Sequence, residues 1–198
     1  MMKLAAMQLT QRDGVTCGPA VAVVAGALLD TGYRKKLTGS DDDSVGVAGR
    51  AWFDGEQGRI HHTVNRIWPR RYGTTPIGVA RAISVHSARY GVRYGWRLWW
   101  GRHDALADVL AAVDAHWPVA MLVGNVIPRH WVLMVERDAE APDMVGCYEP
   151  SSGQVRRVGL KAIREASLGG VGYPRPFAFV LPRSGSSAGD PRGTRPST

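Results

Sequence analysis

Three residue types in this chain can do chemistry together: a thiol, an imidazole and a carboxylate. Cys17, one of two cysteines, stands ahead of Gly18-Pro19 and an apolar run from Ala20 to Leu29. Pro19 suits the first position of a helix, where its missing N–H would have had no intrahelical partner. Cys17 is then expected just before the helix, where backbone N–H groups and the dipole favour negative charge. A thiol so placed is a readier nucleophile at neutral pH. The plainer alternative is a buried cysteine that only packs. His130 opens an apolar stretch, His130-Trp131-Val132-Leu133-Met134-Val135, that has no other ionisable residue before Glu136. Glu149 ends the next apolar stretch, against the turn Pro150-Ser151-Ser152-Gly153. If the two stretches are antiparallel neighbours, the start of one lies beside the end of the other. The set then reads as nucleophile, general base and orienting acid.

The elements that would position these residues follow from periodicity. Residues 20–29 are apolar all round, which marks a buried helix, and Gly32 is expected to stop it. Residues 34–50 are polar and read as a loop. Residues 54–68 carry Ile60, Val64 and Ile67 at helical spacing, with His61 and His62 on the same helix. In Gly73-Thr74-Thr75-Pro76, Thr75 is the expected N-cap and Pro76 the first helical residue. That helix should run to about Arg89 and bury Ile77, Ala80, Ile83 and Val85, leaving His86 solvated or facing the dipole. Val92, Tyr94, Trp96, Leu98 and Trp100 alternate, giving a strand with an aromatic packed face and with Arg93 and Arg97 on the other. A helix over 104–115 ends at His116-Trp117-Pro118. Strands follow at 119–123, 130–135, 145–149, 154–158 and 177–181, with a short helix at 160–165. The order of elements gives the α+β class: helices first, then a largely antiparallel sheet.

Composition narrows the classes. The chain has 198 residues, 44 % hydrophobic and 21 % charged, with a formal charge of +8. That is ample for a core and ordinary for a globular protein. The arginines are scattered, so no nucleic-acid interface is expected. Two cysteines make no disulfide framework. No metal site or cofactor is expected: Asp41-Asp42-Asp43 lack the alternation and closing glutamate of a calcium loop, and His61-His62 do not share a helix face. No membrane span is visible. Met1 to Met7 is too short and too weakly apolar for a signal peptide, so a cytoplasmic location is expected, other export routes remaining open. The reading is one domain over 1–182 and a disordered Ser/Gly/Pro/Arg tail over 183–198.

Gln11 followed by Cys17-Gly18-Pro19, then His130-Trp131-Val132-Leu133 and Tyr148-Glu149-Pro150-Ser151-Ser152-Gly153, resembles the peptidase C39-like family. These are papain-fold cysteine peptidases related to the leader-cleaving domains of bacteriocin exporters. The resemblance extends through Gly73-Thr74-Thr75-Pro76 and covers most of residues 8–181. It implies a papain-like fold, a peptide or protein substrate and Cys17 as nucleophile. It further implies His130 as general base and acid, and the Gln11 amide beside the Cys17 N–H in an oxyanion hole. Glu149 stands where the family usually has Asp; one methylene longer, it can accept the same imidazole N–H. Residues 34–70 form an insertion expected to cover the cleft. Cys147 shares a strand face with Glu149 and reads as a core cysteine.

The same site suits a deamidase or acyltransferase effector, and a cleft that holds a peptide without cutting it is a non-catalytic alternative. Asn125, on the loop before His130, is the fallback for the third member.

Overall fold

The structure, a computed structural model, describes residues 4–39, 44–64 and 73–183. Asp41-Asp42-Asp43, residues 65–72 and the tail beyond Arg183 lie outside the described residues. Among those described, the architecture is mixed α+β. Helices α1 (Leu4–Met7), α2 (Cys17–Leu29), α3 (Thr31–Thr38), α4 (Val47–Val64) and α5 (Pro76–Ser87) precede the sheet. Its strands are β1 (Tyr94–Leu98), β2 (Val119–Gly124), β3 (Pro128–Arg137), β4 (Met144–Glu149), β5 (Gln154–Gly159) and β6 (Arg175–Pro182). Helix α6 (Ala107–Asp114) lies between β1 and β2, and α7 (Leu160–Glu165) between β5 and β6. The six strands run in the order β1-β6-β2-β3-β4-β5, and every neighbouring pair is antiparallel.

Helix α2 is the centre of the core. Every residue of it but Leu28 is buried, as an all-apolar helix requires. It packs on β3 and on α3, α4 and α5. Gly26 permits the close approach: a Cβ there would stand 2.7 Å from the His86 ring and 2.9 Å from that of Tyr33.

Several expectations are corrected. Helix α2 begins at Cys17 rather than Pro19, so Cys17 is its first residue and Thr16 the flanking one. Gly32 does not stop it. Asp30 ends α2 and starts α3, its carboxylate accepting from the N–H groups of Gly32 and Tyr33 at 2.9 and 3.2 Å, an N-cap that lets the chain re-enter a helix within two residues. The stretch 34–50 is therefore not one loop. It holds most of α3 and the start of α4, whose buried residues Gly49, Phe53, Gln57 and Ile60 follow helical spacing among polar neighbours.

Helix α5 starts as expected. Thr75 Oγ1 accepts from Gly78 N at 3.2 Å, with Pro76 first in the helix. Ala80 and Ile83 are buried, but Ile77 is 48 % exposed and Val85 72 %. His86 packs on Tyr33, ring centroids 4.0 Å apart, and faces Asp30 instead of solvent. On β1 the expected aromatic face is only half packed: Tyr94 is buried, whereas Trp96, Leu98 and Trp100 are exposed.

Candidate active site

The candidate site forms where the N-terminus of α2 meets the start of β3 and the end of β4. The register of β3 and β4 pairs Leu133 with Tyr148 and Met134 with Cys147. Continuing it sets His130, near the start of β3, diagonally across from Glu149, the last residue of β4.

His130 Nε2 lies 2.8 Å from Glu149 Oε1, and both residues are buried. The side chain of Cys17 lies close enough to the same imidazole to favour its charged form, as the carboxylate does. With Nε2 on the carboxylate, Nδ1 is the nitrogen left for the thiol. Burial opposes a charge on the ring, but the bond to Glu149 and the influence of Cys17 outweigh it, and the imidazole is pushed up to about 9. An opposite charge in hydrogen-bond reach favours the charged form of a buried imidazole.

Glu149 is held more firmly than a pair contact would hold it. Oε1 also accepts from Ser151 N at 2.7 Å, and Oε2 accepts from Ser152 N at 2.9 Å and Ser152 Oγ at 2.7 Å. Burial works against the carboxylate, yet His130 and these three serine donors bring it down to about 2. Gly153 closes the turn with φ +68°, a conformation that suits glycine. A Cβ there would also strike the backbone of Gln8 and Leu9. The serine pair is the part of the site that the sequence reading missed. Its signal was present: an acceptor side chain followed by Pro-Ser-Ser-Gly is a turn whose N–H groups can fold back onto that acceptor.

Three stretches singled out in the sequence converge on α2. Trp131 donates its indole N–H to the Thr74 carbonyl at 2.9 Å. A Cβ on Gly18 would lie 2.8 Å from Thr74 Cβ and 3.2 Å from Trp131 Cδ1. Glycine at 18 thus lets the first turn of α2 seat against both, which brings Cys17 to His130. Thr16 does not cap the helix; its hydroxyl bonds Asp13 instead. Ala20 N closes the first helical bond, to Thr16 O at 2.8 Å, so the N–H groups of Cys17 and Gly18 precede the ladder and have no intrahelical or side-chain partner among the described residues.

Gln11 takes a different place from the one expected. Its amide donates to the Asp13 carbonyl at 2.8 Å, and its carboxamide oxygen accepts from Ser151 Oγ at 3.5 Å. Its backbone N–H donates to Pro150 O at 2.7 Å, so the segment is pinned to the Glu149 turn. Buried Gln57 of α4 braces the other side, accepting from Arg12 N at 2.9 Å. The described part of the 34–70 stretch therefore packs on α2 and buttresses the Gln11 segment. Asn125 is exposed on the β2–β3 loop, and Glu149 holds the position it was weighed for. Cys147 is fully buried, and burial pushes its thiol up to about 12. Cys17, at the helix start and against an imidazole, is the thiol equipped to react.

No protein-family model matches the chain, and no curated protein matches it. The site's chemistry rests on its own geometry. Among the described residues no group of three or more His, Cys, Asp or Glu side chains is arranged to hold a metal ion, and no helix is long and apolar enough to cross a membrane.

Proposed function

We propose that the chain is a thiol hydrolase of papain-like architecture, a peptidase akin to the C39-like family, with Cys17 as its nucleophile. The observation that carries this reading is the His130 imidazole, bonded to a carboxylate that takes four donors in all and influenced by the Cys17 side chain at the start of α2.

In this reading His130 takes the thiol proton, and the sulfur attacks the carbonyl carbon of a peptide bond. The π electrons move onto the carbonyl oxygen. The N–H groups of Cys17 and Gly18 face that developing charge, and the Gln11 amide joins them once it turns from Asp13. Collapse breaks the C–N bond, the amine leaves with the proton from His130, and a thioester remains on Cys17. His130 then draws a proton from water. The hydroxide adds to the thioester, the carboxylic acid departs, and the thiol recovers its proton. Glu149 is a positioning residue: it fixes the ring orientation and stabilises the imidazolium.

The test is incubation with a peptidyl acyloxymethyl ketone, followed by mass spectrometry, with Cys17→Ala as control. Labelling at Cys17 together with new amino termini in casein supports the peptidase reading. Labelling with ammonia release from glutamine peptides, and no new termini, would move it to deamidation. No labelling at Cys17 would leave a peptide-holding module.

A further inference from the structure

We propose that the groove between α5 and the free edge of β1 docks an extended acidic segment of a partner polypeptide, which joins the sheet as a further strand. This surface is separate from Cys17 and does not depend on its chemistry.

Strand β1 pairs only with β6 among the described strands. Arg183 N donates to Arg93 O, and Trp99 N to Phe177 O, at 2.9 Å each. Hydrogen bonding alternates along an antiparallel strand, so residues 93, 95, 97 and 99 face β6 while 94, 96 and 98 face outward. Tyr94 N is met by Ser84 Oγ of α5 at 2.9 Å, and Leu98 O by the Arg97 guanidinium at 2.9 Å. The C=O of Tyr94, the N–H and C=O of Trp96 and the N–H of Leu98 remain without a partner among the described residues, a short ladder of donors and acceptors that fits a polypeptide backbone.

One face of α5 forms the opposite wall. Ile77, Ala80, Arg81, Ser84, Val85 and Ala88 recur every three or four residues and line, with Trp96, a groove of about 630 Å³. Exposed Ile77, Val85 and Trp96 supply apolar contacts for alternate side chains of an added strand. The charged residues of the groove are Arg81, Arg93 and Arg183. None of the three is paired with a carboxylate among the described residues. The complementary occupant is anionic as well as extended.

Other occupants fit less well. Residues 184–198 carry Arg192 and Arg195 against Asp190 and no large apolar side chain. A second copy paired edge to edge would bring the arginines of both copies together. Nucleic acid would satisfy the charge but not the strand-edge ladder.

The experiment is fluorescence anisotropy with the full chain and a labelled decapeptide alternating Val or Ile with Glu or Asp. Saturable binding is expected, weakened about tenfold or more by Arg81→Glu with Arg93→Glu, and by replacing the peptide's acids with Lys. N-methylation of alternate peptide N–H groups should weaken binding about tenfold in one parity and leave the other nearly unchanged. That comparison uses the unaltered protein and stands even if the charge-reversed variant folds poorly. No binding, or equal loss in both parities, overturns the proposal. So does tighter binding of a single-stranded oligonucleotide, a peptide-competed dimer in sedimentation, or a tenfold gain on truncation after Arg183.

Discussion

Gly18 and Thr74 are packed so closely that one methyl group would not fit between them: a Cβ on Gly18 would stand 2.8 Å from Thr74 Cβ. This contact seats the first turn of α2, which begins at Cys17, against Thr74 and Trp131. Gly18→Ala should therefore cost about 1–3 kcal/mol by overpacking, read by urea unfolding. It should also slow labelling of Cys17 by a peptidyl acyloxymethyl ketone. Wild-type stability with wild-type labelling would mean that this contact does not position the thiol.

The His130–Glu149 pair gives stability a pH window. Glu149 titrates near 2 in the fold against 4.5 ordinarily. Its contribution is complete above the ordinary value and is lost as pH falls toward 2. His130 titrates near 9 against 6.5. Its contribution is complete below 6.5 and is lost as pH rises through 9. The stability gap between wild type and Glu149→Gln should thus be widest at about pH 5–6.5, on the order of 1.5–3 kcal/mol for a bond to a charged group, and narrow on either side. Urea unfolding across about pH 3–10 measures it. A gap that does not vary with pH would detach the pair from the stability of the fold.

Arg97 supports a different part of the sheet. It bonds Asp104 at 2.7 and 3.1 Å and Asp108 at 2.6 and 2.7 Å, and lies over Phe179. Asp104 is buried. Arg97→Ala would leave that carboxylate without its cation, a loss of about 3 kcal/mol or more. Labelling of Cys17 in the folded fraction should be unchanged, because β6 and β2 separate β1 from β3. Loss of labelling in well-folded variant protein would show coupling across the sheet.

The α+β class and the strand positions were legible because turns and alternation mark them locally. Leu160–Glu165 has the bounds that the pattern gives, and Thr75-Pro76 opens α5 as its chemistry requires. The proximity of Cys17, His130 and Glu149 was also legible, from a helix start and two neighbouring strand ends. What was not legible depends on contacts distant in sequence. Helix α3 and the first half of α4 are polar stretches that become helical by packing a few residues, Tyr33, Leu37 and Phe53 among them, onto the core. His86 is held by Asp30 and Tyr33, more than fifty residues earlier. Trp96 and Leu98 are exposed because β1 is an edge strand beside an open groove along α5, a placement that alternation alone does not encode.

The central claim is that Cys17 is activated by His130. Its most direct test is the rate of iodoacetamide alkylation at each cysteine, resolved by mass spectrometry across about pH 5–9, in wild type and His130→Ala. Cys17 should be modified well ahead of Cys147 at about pH 6, and His130→Ala should slow that modification about tenfold or more, since no imidazole remains to take the proton. Cys147, fully buried, should stay unmodified in both. Equal rates at the two thiols in wild type, Cys147 leading, or a Cys17 rate unchanged by His130→Ala would contradict the account.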